Sequence, residues 1–136
     1  MKLLAFDTSS KALSVAILED ETLLAETTLT IKKNHSITLM PVIDFLMQQI
    51  DLTPKDLDRI VVAKGPGSYT GLRIAVATAK TLAHTLGIDL VGVSSLLALV
   101  PDDLEGLVVP VMDARRNNVY AGFYQNDQLV APEGHF

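Results

Sequence analysis

The glycine-rich segment from Lys64 to Arg73 is the stretch of this sequence best suited to chemistry. It reads Lys-Gly-Pro-Gly-Ser-Tyr-Thr-Gly-Leu-Arg and stands between an apolar run and a helical pattern. Glycines allow a tight backbone path, and a helix N-terminus beside an arginine attracts anions. No Gly-Lys-Ser or Gly-Lys-Thr closes the segment, so it is not a Walker A motif, and a rigid turn without a ligand is the alternative. The candidate ligand residues are Gly65, Gly67, Ser68, Gly71 and Arg73.

The sequence contains no cysteine, so a metal site would have to use nitrogen and oxygen ligands, of which the histidines are the first to consider. His35, His84 and His135 are separated by 49 and 51 residues, far from the one-turn spacing that places two imidazoles on one helix face. A Gly-x-Ser-x-Gly nucleophile elbow is also absent. The sequence therefore predicts neither a metal site nor an activated nucleophile.

Periodic hydrophobicity predicts the elements that position the glycine-rich segment. Three strands come first, followed by a helix from His35 to Ile50 in which Thr38 is the cap and Pro41 falls in the first turn. A strand over 59–63 precedes the glycine-rich bend, and a second helix, capped by Thr70, runs to Gly87 before a strand over 90–93. This alternation predicts an α/β fold with a parallel-containing mixed sheet flanked by helices.

The beginning of the chain is repeated near its end. Phe6-Asp7 aligns with Met112-Asp113 at an offset of 106, and the hydrophobic positions of the next two strands align without a gap. We therefore expect a first lobe over residues 1–103 and the start of a second lobe over 107–136, incomplete within this chain.

The composition of the chain excludes some classes of function. The chain has 136 residues, 49% of them hydrophobic, and a formal net charge of −5. Its longest apolar tract, over 90–100, is shorter than the roughly 20 residues of a membrane span, so we expect a cytoplasmic protein without a membrane segment. The negative charge disfavours direct binding of nucleic acid.

A repeated strand-turn-strand with an aspartate after the first strand resembles the actin-like ATPase superfamily, which belongs to the ribonuclease H-like folds. The resemblance implies that the turns at Asp7 and Asp113 face the phosphates of a nucleotide. In the ATP-hydrolysing members a glycine lies two residues after the first aspartate, whereas this chain has Ser9. An aspartate that only organises its own turn is the alternative interpretation, and an actin-like ATP-dependent phosphotransferase is one rival function.

Several motifs together resemble the TsaB (YeaZ) family. They are Leu-Ala-Phe-Asp-Thr-Ser-Ser at residues 4–10, Asn-His-Ser at 34–36, Leu-Met-Pro at 39–41, Gly-Pro-Gly-Ser-Tyr-Thr-Gly-Leu-Arg at 65–73 and Asp-Ala-Arg at 113–115. The resemblance implies a non-catalytic partner of TsaD in making threonylcarbamoyladenosine beside the tRNA anticodon. It also implies contact with TsaE and with tRNA only through the complex, and no cofactor beyond weak nucleotide binding at a partner interface. A glycoprotease-like hydrolase is the second rival.

A non-catalytic subunit needs a docking surface, and the second helix offers one. Its core-facing arc includes Leu72 and Val76, and the opposite arc carries no acidic residue, which suits close helix packing. Methionines widen the apolar arc of the first helix. We expect the free protein to form a homodimer through the same two helices. The candidate interface residues are Met40, Met47, Arg73, Ile74, Ala77, Thr81 and His84.

Overall fold

A computed structural model describes residues 1–30, 35–100, 107–115, 117–125 and 128–135 of the chain. Seven elements build its first part: β1 (Lys2–Asp7), β2 (Ala12–Glu19), β3 (Thr22–Thr30), α1 (His35–Gln49), β4 (Arg59–Ala63), α2 (Tyr69–Leu86) and β5 (Asp89–Val93). Four strands follow: β6 (Leu107–Val108), β7 (Val111–Arg115), β8 (Asn118–Gln125) and β9 (Gln128–His135). Short 3₁₀ turns occupy Pro54–Asp56 and Leu97–Leu99.

The first sheet is mixed, as the alternating pattern predicts. Its strands lie in the order β3-β2-β1-β4-β5. The hairpin strand β2 pairs antiparallel with β1 and β3, whereas β1, β4 and β5 pair in parallel, with Ala5 opposite Val61 and Val61 opposite Val91. Parallel neighbours need a crossover connection, and α2 supplies the one between β4 and β5. The carboxyl ends of β1, β4 and β5 therefore share one edge of the sheet.

One face of this sheet carries the core. Alternate side chains of the strands, such as Leu4, Val15 and Ile60, are buried there with both helices. The helix α2 contributes Ala75, Ala79 and Ala83, whose small side chains let the helix lie close to the strands. Both helices belong to the same buried cluster and contact each other, so they form one layer on that face.

The first helix begins at His35, as the sequence predicts. The prediction of Thr38 as its cap is wrong, because Thr38 lies inside the first turn and Pro41 lies in the second turn. The ring of His35 hydrogen bonds through Nε2 to the carbonyl oxygen of Ser10, at 3.1 Å, and holds the helix start against the turn after β1. A proline in the second turn removes only the bond to the carbonyl of Ile37, and Pro41 is exposed.

The second helix is capped by a serine at its start and by a glycine at its end. Ser68 is the cap, and its Oγ accepts a hydrogen bond from the amide of Gly71 at 3.3 Å. The prediction of Thr70 as the cap is wrong, because Tyr69 is already helical and a cap must precede the first helical residue. Gly87 ends the helix in the left-handed conformation, as predicted. No helix within the described residues is long and apolar enough to span a membrane.

The second sheet repeats the three-strand start of the first. The bounds of β8, 118–125, are those of β2 shifted by 106, and β9 begins 106 residues after β3. The strands β6 and β7 pair with successive parts of β8 on one side, and β9 pairs with its other side. Asn117 makes the turn between β7 and β8 with φ 62°, a conformation that asparagine tolerates. The polar sequence at 101–106 and the pair Asn-Asp at 126–127, both typical of turns, lie outside the described residues.

The alanine stripe of α2 generates a stability prediction. Ala79 is fully buried against the core, so Ala79→Leu should overpack the helix-sheet contact and lower the free energy of unfolding by about 1 to 3 kcal/mol. Urea denaturation of the purified chain measures this change. The control Ala77→Leu makes the same replacement on the exposed side of the helix and should leave the midpoint nearly unchanged. Equal losses in the two variants would contradict the packing described above.

Candidate functional site

The glycine-rich bend packs directly on the turn that follows β1. A Cβ atom added to Gly67 would lie 2.5 Å from the carbonyl oxygen of Ser9, and one added to Gly71 would lie 1.9 Å from the carbonyl oxygen of Thr8. Real Cβ atoms do not approach backbone this closely, so only glycine fits at either position. These two glycines serve the close approach of two backbones within the fold.

Hydrogen bonds join the same two loops. The amide of Ser68 donates to the carbonyl of Ser9 at 2.7 Å, and the hydroxyl of Thr8 donates to the carbonyl of Gly71 at 2.6 Å. Thr8 and Ser9 are buried by this contact. The structure therefore brings together four of the predicted ligand residues, and they contact each other: Ser9, Gly67, Ser68 and Gly71.

Asp7 uses its carboxylate inside its own turn. The Oδ1 atom accepts one bond from the amide of Ser9 at 2.8 Å and a second from the hydroxyl of Ser9 at 2.5 Å. This geometry favours the turn-organising interpretation of Asp7, because both hydrogen bonds to its Oδ1 come from Ser9 in the same turn. A glycine at residue 9 would lack the hydroxyl that donates one of them. The predicted counterpart Asp113 lies in β7, and its side chain is outside the described part of the structure.

The first residue of the bend is tied to the end of β5. The amide of Gly65 donates to Ser95 Oγ at 3.1 Å, and the amide of Ser95 donates to the carbonyl of Gly65 at 2.8 Å. The Gly65–Pro66 peptide bond is cis. Ligands of open α/β folds bind outside the carboxyl ends of the strands. Here internal hydrogen bonds close much of that edge. The sequence analysis missed Ser95, although its place just after a predicted strand was a signal.

Arg73 lies apart from these loops. It is two residues beyond Gly71, which on a helix turns the side chain by about 200°. Its guanidinium lies 5.5 Å from the ring centroid of Tyr69, and both side chains are exposed on the outer side of α2. The anion site in which Arg73 joins the glycine-rich bend stays a prediction.

An open groove of about 460 Å³ runs along the outer side of α2. Leu72 and Val76 line it, which corrects their predicted place in the core arc. The alanine stripe contacts the sheet, so these two larger side chains stand at the border of the contact and remain half-buried. The groove contains two cations and no acidic residue. Its lining is Tyr69, Leu72, Arg73, Val76, Ala77 and Lys80.

Two of the predicted interface residues do not belong to an exposed surface. Met47 is only 4% exposed, because it continues the buried stripe of Leu39, Ile43 and Leu46. Ile74 is half-buried and packs against the core. The others are exposed: Met40, Arg73, Ala77, Thr81 and His84.

Other apolar side chains are exposed on the helix layer and were missed by the sequence analysis. Ile37 is 70% exposed, Phe45 is 60% exposed, and Tyr69 is 74% exposed. The signal for the first two was their eight-residue spacing, which places them on one side of α1 and away from Leu39 and Ile43. We call the exposed set the outer helix surface; it comprises Ile37, Met40, Phe45 and the groove of α2.

The three histidines lie in separate environments and do not form a cluster. His35 donates to the Ser10 carbonyl, His84 is exposed on α2, and His135 packs its ring against Tyr120 with centroids 5.4 Å apart. Within the part of the chain that the structure describes, no three metal-ligating side chains lie close enough to hold an ion.

Comparisons with known proteins agree with this architecture. A family model described as TsaD, tRNA N6-adenosine threonylcarbamoyltransferase, matches residues 22–131. The tRNA threonylcarbamoyladenosine biosynthesis protein TsaB of Bacillus subtilis is 50% identical over 127 residues, which are 92% of this chain and 56% of that protein. The chain thus spans little more than half of this curated relative.

Solved structures show the same fold. YeaZ from Pseudomonas aeruginosa superimposes with a TM-score of 0.90 and 30% identity over 99% of this chain and 67% of that chain. The ethanolamine utilization protein EutJ from Carboxydothermus hydrogenoformans matches with a TM-score of 0.54 and 14% identity over 100% of this chain and 52% of its own, which shows the fold alone. The predicted α/β class, a mixed sheet with helices packed on it, is confirmed.

The contact between the two loops generates a second prediction. Gly71→Ala and Gly67→Ala should each lower the free energy of unfolding by about 1 to 3 kcal/mol, because the new methyl group must displace backbone atoms of Thr8 or Ser9. Thermal and urea melts measure the loss. In the control Gly92→Ala, the new methyl meets only the flexible side chain of Lys64, and stability should change little. Wild-type stability in both test variants would mean that the loops do not pack as described.

Proposed function

Because the chain belongs to the TsaB (YeaZ) family of tRNA threonylcarbamoyladenosine biosynthesis proteins, we propose that it is a non-catalytic subunit that docks on and activates TsaD. The reaction is transfer of the threonylcarbamoyl group from its adenylate to the amino group of the tRNA adenosine beside the anticodon. TsaD holds the metal and the acyl donor. The TsaD family model also spans most of this chain, which fits a common origin of the two subunits.

The observation that supports docking is the outer helix surface. Ile37 and Phe45 on α1 and Tyr69 on α2 are large, apolar and mostly exposed. Exposed apolar patches on a protein of this size are typical of interaction sites. The exposed residues Ala77 and Thr81 of α2 are small, which allows a second helix to approach this helix closely. The surface therefore suits a helical partner face.

The positive charges beside the groove of α2 predict the chemistry of a complementary partner surface. Arg73 and Lys80 flank the groove of α2, and no acidic residue lines it. A partner helix with apolar residues at helical spacing and carboxylates beside them is complementary in both respects. A second copy of this chain offers the same two cations, so we infer that a homodimer through this surface forms only when the partner is absent.

We infer the roles of the other subunits and of the tRNA from the net charge of the chain and from the hydrogen bonds within its loops. The net charge of −5 gives this chain a poor surface for tRNA, so we infer that tRNA binds through TsaD and that TsaE joins through the complex. The turn at Asp7 is filled by its own hydrogen bonds, which disfavours an independent ATP-dependent phosphotransferase. We place any weak nucleotide binding at the interface with TsaD, and the complex in the cytoplasm.

A charge placed in the groove tests the docking proposal. Ala77→Glu puts a carboxylate within one helical turn of Arg73 and Lys80, which should preserve or slightly stabilise the helix. The added carboxylate should reduce binding to TsaD by more than tenfold, because it neutralises the two cations of the groove and repels the carboxylates expected on the partner face. Isothermal titration measures the affinity, and tRNA modification in the reconstituted system should fall with it.

The matched control for this experiment is Lys55→Glu, which adds a carboxylate at an exposed position in the turn before β4, away from both helices. It should leave TsaD binding, homodimer formation and melting temperature unchanged. Wild-type affinity for TsaD in the Ala77→Glu variant, with the helix intact, would place the interface elsewhere.

Arg73 generates a separate prediction about salt. Arg73→Ala should barely change the melting temperature, because an exposed charge contributes only about 0.2 to 1 kcal/mol to folding. Binding to TsaD should weaken most at low salt and approach that of wild type as salt screens the pair. Titrations at two salt concentrations measure the effect. A sharp drop in melting temperature with unchanged affinity would give Arg73 a role inside the fold.

A further inference from the structure

Three side chains from separate parts of the chain meet between the two sheets. The hydroxyls of Ser94 and Tyr124 both donate to the same atom, Oε2 of Glu133. Ser94 directly follows β5 of the first sheet, whereas Tyr124 and Glu133 lie on neighbouring strands of the second sheet, β8 and β9. We call these three residues the Glu133 cluster.

The surrounding backbone makes room for this cluster. Tyr124 is only 4% exposed, and Gly122 lies beneath its ring. A Cβ atom on Gly122 would lie 2.6 Å from Cε2 of Tyr124 and 3.4 Å from Oε2 of Glu133. Burial raises the pKa of Tyr124 and its hydrogen bond to Glu133 raises it further, whereas a hydrogen bond with Ser94 lowers it. The cluster is thus a packed arrangement of donors around one carboxylate.

Ser94 has a second set of bonds that fixes the direction of its proton. Its Oγ accepts from the amide of Leu96 at 3.1 Å and from the amide of Leu97 at 3.3 Å. Both acceptor positions of the hydroxyl are then used, so its single hydrogen is free to point at Glu133. The next residue, Ser95, holds Gly65 through the two bonds described above. Residues 94–97, which we call the serine loop, therefore connect the second sheet to the start of the glycine-rich bend.

We propose that Glu133 is a positioning residue that latches the second sheet to the serine loop, and through that loop to the glycine-rich bend from which α2 begins. Hydrogen bonds to a carboxylate are stronger than those between neutral groups, which suits a single contact that must hold two sheets in place. The proposal is independent of the function proposed above, since it rests only on contacts within this chain.

Residue-resolved hydrogen exchange of the purified chain tests the latch. Opening the serine loop in the wild type must break the bond between Ser94 and Glu133, whereas Glu133→Ala has no such bond to break. The amides of Leu96 and Leu97 should therefore exchange roughly tenfold faster in this variant, because a hydrogen bond to a charged group contributes at least about that factor. These amides lie in the first part of the chain, far in sequence from the substitution.

The matched control is Tyr124→Phe, which removes the other hydroxyl of the Glu133 cluster but keeps the bond between Ser94 and Glu133. It should accelerate exchange chiefly within β8 and β9, and at Leu96 and Leu97 much less than Glu133→Ala does, because the only serine-loop contact that it removes is the one between Tyr124 and Ser94. If Tyr124→Phe accelerates exchange at Leu96 and Leu97 as much as Glu133→Ala does, general loosening of the second sheet explains the effect and the latch is refuted.

If Glu133→Ala unfolds the second sheet, two substitutions of Ser94 test the latch from the other side of the contact. Ser94→Ala should speed exchange of the β9 amides around Glu133, although Ser94 lies outside that sheet, and Ser94→Thr, which keeps a hydroxyl, should restore the wild-type rates. Wild-type exchange in β9 of the Ser94→Ala variant would overturn the proposal by itself.

Discussion

The backbone contact between the glycine-rich bend and the turn after β1 is the constraint on which the rest of the structure depends. Gly67 and Gly71 let the two loops approach to hydrogen-bonding distance, and Ser68 serves both loops, since its amide bonds to Ser9 and its hydroxyl caps α2. This contact fixes where α2 begins. The start of α2 in turn decides which of its faces meets the sheet and which faces outward.

The same contact is one reason why we propose the helices as the docking surface. In an open α/β sheet the carboxyl ends of the parallel strands form the usual ligand site. Here Asp7, Thr8, Gly65 and Ser95 use that edge for bonds to one another and to their neighbouring loops. The polar groups of the edge are largely used in hydrogen bonds that stabilise the fold, and the outer helix surface carries exposed apolar side chains and two cations. This distribution is compatible with the docking role that we propose.

Much of the fold could be predicted because hydrophobic residues recur along the sequence at the spacing of strands and helices. The strands, both helices and the repeat at an offset of 106 follow from hydrophobic spacing, and Gly87 marks a helix end through its own conformational preference. The tilt of α2 on the sheet does not follow from spacing. Because small alanines make the contact, Leu72 and Val76 are left at its border and line the groove, whereas a helical wheel places them in the core. The burial of Met47 has a similar cause, since α1 turns its Leu39–Met47 side inward.

The polar contacts were harder to predict because each depends on residues that the fold brings together from distant parts of the chain. Nothing local in the sequence links Ser94 to Glu133, which lies 39 residues away, and a glutamate near a strand end ordinarily indicates a solvated side chain. Once the second sheet is folded, however, Glu133 is the acceptor for donors from both sheets. The serine loop is then bonded on one side to Glu133 and on the other to Gly65. A displacement of the second sheet therefore reaches the start of α2 through two consecutive residues, Ser94 and Ser95.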